Sequence, residues 1–182
     1  QRGVVCFISN YSWLEGESHP GMRERYLDVF DKIWIDCLNG DKFATGKLTP
    51  EGEPDPSVFS TPYNREGIKV GTAISLLTRA SDGDGTQTVH FRHLWGKRKR
   101  EQLVESLNAN LFDSLYTTAT PLCALGYPFT PVEVGTDYLS WPKLTELFPV
   151  SFPGIQPCRD DLVVDIDRTL LQKRMVQYYD KS

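Results

Sequence analysis

Two short apolar runs, GVVCFIS at 3–9 and KIWIDCL at 32–38, bracket a segment of helical periodicity, and this succession constrains the fold more than any other feature. A short continuous apolar run is the pattern of a strand buried on both faces. Between the runs, Pro20 suits the first turn of a helix, where its missing N–H is not needed. In PGMRERYLDVF, Met22, Tyr26, Val29 and Phe30 recur at helical spacing, while Arg23, Glu24, Arg25 and Asp28 fall on or near the other face. Strand, helix and strand with short links make a βαβ unit, which implies parallel pairing and a right-handed crossover. The pattern is that of an α/β protein.

Residues 39–68 break this rhythm. Gly40, Gly46, Gly52, Pro50, Pro54, Pro56 and Pro62 exclude a long helix or a central strand. A loop of this length inside a compact domain is usually functional or mobile. GIKVGTAISLLTRA then predicts a third strand over 69–79. SDGDG supplies turn residues and TQTVHFRHLW alternates, which predicts a hairpin. DGDG lacks the spaced ligands and closing Glu of a calcium loop, so it is a turn. GKRKREQLVESLNANLF reads as an exposed helix with Leu103, Val104 and Leu107 inward and an i,i+4 pair from Lys97 to Glu101. The proline- and aromatic-rich stretch that follows has no lasting period and reads as an extended linker. RDDLVVDI predicts a last strand, Asp167 a helix N-cap, and RTLLQKRMVQYY a closing helix.

With 40% hydrophobic and 24% charged residues, the 182-residue chain has the composition of a globular protein, long enough for one ordinary core or one core plus a small appendage. A net charge of −4 gives no bulk attraction to nucleic acid or an anionic membrane, so any basic contact must be local. The dense cationic cluster is Arg92, His93, Lys97, Arg98, Lys99 and Arg100, suited either to solvation or to phosphate contact. No apolar run approaches the roughly 20 residues that span a bilayer, and a cytoplasmic location without membrane partners is expected. Cys6, Cys37, Cys123 and Cys158 lie far apart without a C-x-x-C pair, which points to buried or half-buried cytosolic thiols and to no metal site. His19, before Pro20, is expected to be a cap or packing group, and His90 and His93 alternate along a strand.

Taken in order, GVVCFISNYSWLEG…HPGMRERYL, REGIKVGTAISLLTR, WGKRKREQL and LFPVSFPGIQPCRDDLVV resemble the second half of the catalytic domain of adenine-specific DNA methyltransferases. The resemblance is closest to the single-polypeptide type ISP restriction–modification enzymes. It implies a partial Rossmann-like half-sheet of mixed direction, with the third strand reversed and slotted between the first two. It further implies an extended linker and a small C-terminal α/β element leading into a DNA-recognition region. The corresponding divisions are 1–95, 96–149 and 150–182.

That family holds S-adenosylmethionine with an F-x-G-x-G-like turn and does its chemistry at N-P-P-Y or D-P-P-Y. Neither motif is present, and both are expected before Gln1. The resemblance therefore implies a methyltransferase fragment that is inactive alone, with no catalytic residues, no cofactor bound by this chain, and S-adenosylmethionine used only by the parent enzyme. Its partner would be double-stranded DNA, met through the parent. The implied target-base pocket draws on Asn10, Tyr11, Ser12 and Trp13 after the first strand, and on Phe59, Tyr63, Asn64 and Arg65 before the third. Glu66 stands where the family commonly has a stacking aromatic. Arg92, Lys97, Arg98, Lys99 and Arg100 would contact phosphate. The free edge of the first strand would be covered by the linker, by a second copy, or by a missing N-terminal half. The alternative is a non-catalytic DNA-binding or protein-interaction module.

Overall fold

The computed structural model describes residues 2–80, 87–108, 112–135, 137–150 and 164–180. The chain divides into two compact units, Gln1–Leu139 and Ser140–Ser182. The first is a mixed α/β unit with elements β1 (Gly3–Asn10), α1 (Pro20–Val29), β2 (Lys32–Asn39), β3 (Thr72–Arg79), β4 (Thr88–His93), α2 (Lys99–Ser106) and β5 (Thr117–Ala119). The second contains the short α3 (Leu144–Leu147) and α4 (Arg168–Tyr179). Asp167 caps α4 as expected, its Oδ1 accepting from the amides of Thr169 and Leu170 at 2.8 and 3.2 Å. The expected strand in RDDLVVDI lies mostly outside the described residues, as does the SDGDG turn. None of the described helices is long and apolar enough to cross a membrane.

The sheet order is β1-β3-β2-β4-β5. β3 is antiparallel to both β1 and β2, so those two run parallel with a reversed strand between them. β4 is parallel to β2, and β5 is antiparallel to β4. The expected β3–β4 hairpin is not formed. Both edges of β3 are already paired, so β4 passes beyond β2 and sets Ile33 opposite Val89 and Ile35 opposite Phe91. The three-residue β5 was not foreseen, because Thr-Thr-Ala carries no strand pattern of its own.

Residues opposite one another share a face. On one face Ile33, Ile35 and Cys37 meet Ala73, Leu77, Val89 and Phe91, under Trp13, Leu14 and Phe129. Helix α1 packs Met22, Tyr26, Leu27 and Phe30 against that core. Burial of a side chain such as Leu77 or Phe91 contributes about 1.5–3 kcal/mol. The other face carries Trp34, Asp36, Ile74, Leu76 and Arg92. Together with Leu103 and Val104 of α2, and with Tyr116, they line a cleft of about 300 Å³.

Four expectations about burial are corrected. β1 is not buried on both faces: Val4 is 69% and Ile8 48% exposed, and among the described residues nothing pairs with its outer edge. Arg23 is buried rather than on the polar face of α1. Val104 and Leu107 of α2 are exposed, since the helix turns Lys99 and Ser106 inward instead. Of the cysteines described, only Cys37 is buried, while Cys6 and Cys123 are exposed.

Candidate nucleic-acid interface

The C-terminal ends of β1, β2 and β4 and the start of β3 meet at one end of the sheet, where Thr72 lies opposite both Asn10 and Asn39 and His93 lies opposite Cys37. Three connecting segments, 11–19, 40–71 and 94–98, emerge there. The long loop is not loose, because two buried carboxylates pin it. Asp41 Oδ1 accepts from the amides of Phe43 and Ala44, and Oδ2 from Gly71, all at 2.7 Å. Asp55 Oδ2 accepts from the Gly40 amide and Oδ1 from the Gly96 amide, both at 2.7 Å. Asp55 also holds the Lys99 ammonium at 2.7 Å. Backbone groups that the prolines and glycines leave unpaired are thus satisfied from side chains.

Tyr11 belongs to this framework. Its amide donates to Gly71 O at 3.1 Å, and its ring occupies the space a Gly71 side chain would fill. Its hydroxyl donates to Asp41, and burial followed by the charge of Asp41 pushes its pKa up to about 12. Asn10 is exposed, its Oδ1 accepting the Ser12 amide at 2.6 Å. Trp13, in the 11–19 segment, is packed on its neighbours. It is 6% exposed, packs against Phe7, Tyr26 and Phe129, and donates Nε1 to Ser9 Oγ at 3.0 Å.

Residues 57–68 fold on themselves. Ser57 Oγ accepts from the amides of Phe59 and Ile68, and Asn64 Oδ1 accepts from Gly67. Gly67, at φ +60°, sits too close to Ser57 and Ser60 to carry a side chain. This turn presents Tyr63, whose ring is fully in solvent, with Asn64 and Arg65 beside it and Phe59 at 38% exposure. Glu66 pairs with Lys42.

The basic cluster is divided. Arg92 is paired with Asp36, donates to Ser106 Oγ at 3.1 Å, and lies 4.6 Å from the centre of the Tyr116 ring. Lys99 is buried against Asp55 and donates to the carbonyls of Leu38 and Pro56. Burial pushes its pKa down, and Asp55 pulls it back up. Neither is available to phosphate. Arg98 pairs with Glu101 at 2.8 Å and Glu105 at 3.2 Å, so Glu101 is taken by Arg98 and not by Lys97. Lys97 and Arg100 are exposed, and Arg100 donates to Val58 O at 2.5 Å. His93 stacks on Trp95 with ring centres 5.2 Å apart, and burial lowers its pKa.

Asp41, Asp55 and Lys99 are the site residues that the sequence hides most. Signals existed: Asp41 directly follows an Asn-Gly turn, Asp55 stands between two prolines, and Lys99 is in helical step with Leu103 and Ser106.

The fold is similar to that of "Structure of a nuclease-deletion mutant of the Type ISP restriction-modification enzyme LlaGI in complex with a DNA substrate mimic", at 20% identity and a TM-score of 0.59. That likeness covers 95% of this chain and 16% of the other. A second similar structure is "ATP-dependent Type ISP restriction-modification enzyme LlaBIII bound to DNA", at 23% identity and a TM-score of 0.50, covering 67% of this chain and 8% of that one. The chain thus spans a small part of either protein, and at these identities the likeness is one of fold. No protein-family model matches the sequence. No curated protein matches it either.

Proposed function

We propose that this chain is the DNA-facing part of a restriction–modification polypeptide: the distal half of an adenine-methyltransferase-like domain, framing a target base without the groups that methylate it. The observation that carries this reading is the reversed β3 between parallel β1 and β2, with all the irregular segments of that end held on two buried aspartates. A half-Rossmann sheet of this kind puts ligands at the C-terminal ends of its parallel strands.

Methyl transfer to an adenine amino group needs a flipped base, acceptors on the amine, and a sulfonium methyl in line. The sequence has no F-x-G-x-G turn and no N-P-P-Y, so its residues do not fit S-adenosylmethionine and no chemical step is assigned to them. The contribution of this chain is to bind and orient. Tyr63 offers a free ring on which a base can stack, and stacking of this kind contributes about 1–3 kcal/mol per base.

Two assays test the reading. Radiolabelled methyl donor with adenine-containing duplex DNA should give no incorporation by this chain, and clear incorporation would overturn the fragment reading. Fluorescent duplex DNA should bind at low salt and dissociate as salt rises; absence of low-salt binding would overturn DNA contact by this chain. The exposed apolar residues of β1 favour a second reading, a protein-interaction module. A concentration-dependent dimer in sedimentation, lost in Ile8→Lys, would support it. A monomer with DNA affinity supports the first.

A further inference from the structure

The cations of the basic cluster differ in whether a carboxylate already answers them. Arg92 has Asp36, Arg98 has Glu101 and Glu105, and Lys99 has Asp55. Among the described residues no carboxylate pairs with Lys97 or Arg100. Both line one polar cleft of about 330 Å³ between the Pro56–Ser60 stretch and the Gly96–Glu101 stretch. Glu101 also lines it, but that carboxylate is occupied by Arg98 Nε at 2.8 Å. The buried Lys99–Asp55 pair beneath is balanced. The cleft therefore holds two cations that no carboxylate pairs, while Arg98 with Glu101 and Glu105 leaves a single negative charge over beside it.

We propose that this cleft seats a phosphodiester of a nucleic-acid backbone, with Lys97 and Arg100 as its cations. Val58 O holds one corner of the Arg100 guanidinium, which orients the five-donor fork for an anion. Lys97 adds a point charge on a flexible stem. At about 30 Å³ per water, the volume accommodates a phosphate with part of its hydration. The same Pro56–Ser60 stretch leads into the turn carrying Tyr63, so a seated phosphate would fix the strand's register beside the exposed ring. Such a contact positions the backbone and reads no base.

The inference rests on the DNA-binding reading, and one experiment separates the two. Binding of fluorescent duplex DNA is measured against salt for wild type, Lys97→Gln/Arg100→Gln, Lys97→Glu and Arg25→Gln. The double variant is expected to flatten the slope of log K against log salt by about 0.9, the value for one lost phosphate contact, and equally on unrelated sequences. Lys97→Glu leaves the Val58 contact intact but sets a carboxylate against the phosphate, and should flatten the slope by about as much as the double variant. Arg25→Gln, an exposed cation of α1 outside the cleft, should leave it unchanged. If wild type binds and the double variant keeps its slope, the seat is overturned while the DNA reading stands. If wild type fails to bind even at low salt, both fall. Inorganic phosphate, titrated at constant ionic strength, is the second probe. Saturable thermal stabilisation by phosphate with no slope change in the variants would assign the cleft to free phosphate and overturn the backbone assignment.

Discussion

Lys99 Nζ lies 2.7 Å from Asp55 Oδ1 in a pair whose side chains are 2% and 0% exposed. Lys99 also holds the carbonyls of Leu38 and Pro56, and Asp55 holds the amides of Gly40 and Gly96. One ion pair thus ties the end of β2, the long loop, the end of β4 and the start of α2. Removing one partner of a buried pair strands the other charge, at a cost of about 3–5 kcal/mol. Asp55→Ala is expected to lose stability on that scale in urea denaturation. Asp55→Ala/Lys99→Met should be less destabilised than Asp55→Ala alone, because no charge is stranded. A single variant within about 1 kcal/mol of wild type would contradict the pair's role.

Asp41 gives a pH signature. Burial acts to raise its pKa, but the amides of Ala44, Gly71 and Phe43 and the Tyr11 hydroxyl together outweigh it and hold the carboxyl below its usual range. The unfolded chain titrates this group at about 3.9. Below that value the unfolded state binds more protons than the folded one. The stabilisation is therefore fully present above about pH 4 and is lost as pH falls through the lower folded value. Wild type should lose more stability than Asp41→Asn between about pH 5 and pH 3. At neutral pH Asp41→Asn should itself cost about 1–3 kcal/mol, since an amide nitrogen cannot accept from the Gly71 amide. Parallel stability–pH curves for the two proteins would refute the assignment.

The β1–α1–β2 unit was legible because apolar runs and helical spacing report which atoms must leave water. The reversed β3 was legible through the resemblance, and its own apolar run marked it as a strand. The β3–β4 connection was not, since local turn chemistry says where a chain reverses but not which edge is still free. Arg23 and Lys99 were misplaced for a related reason. A charged residue in step with an apolar stripe looks solvent-facing until distant carbonyls or a carboxylate arrive to satisfy it. Arg23 is in step with Tyr26, Leu27 and Phe30, and its partners come from residue 126 as well as from nearby. For Trp13, packing on neighbours and a place in the pocket were equally open, because burial of an aromatic in a loop depends on what folds over it, here Phe129. β1 carries the composition of a strand covered on both faces, yet Phe7 meets the core while Val4, Val5 and Ile8 stay exposed.

Gly71 is a position where a methyl group decides the site's geometry. A Cβ there would lie 1.6 Å from Tyr11 Cε1 and 2.1 Å from Cδ1, the body of the ring and not a flexible tip. Gly71→Ala must displace Tyr11, at a cost of about 1–3 kcal/mol for overpacking. The Tyr11–Asp41 hydrogen bond would go with it. Tyr11→Ala should relieve the clash, so the double variant should be more stable than the sum of the two single effects predicts. Strict additivity in a double-mutant cycle would mean the two residues do not meet.

Arg23 is 1% exposed, and its hydrogen bonds go to carbonyls, with the charge of Glu15 acting on it from further off. Nη1 donates to Trp13 O at 2.7 Å and Gly16 O at 2.9 Å, while Nε and Nη2 converge on Gly126 O at 3.0 and 2.6 Å. Burial lowers its pKa, but a guanidinium stays charged at physiological pH. The planar fork spans carbonyls that approach from both sides of α1, which a single ammonium on a thinner stem cannot do. Arg23→Met would leave the Trp13 and Gly126 carbonyls without a donor, Gly16 O keeping the His19 amide, and should cost about 2–4 kcal/mol. Arg23→Lys should recover less than half of that loss, because one end of the bridge stays open. Urea denaturation of the three proteins checks the order. A lysine variant as stable as wild type would mean that charge, and not the shape of the fork, holds segment 13–16 and Gly126 to the helix.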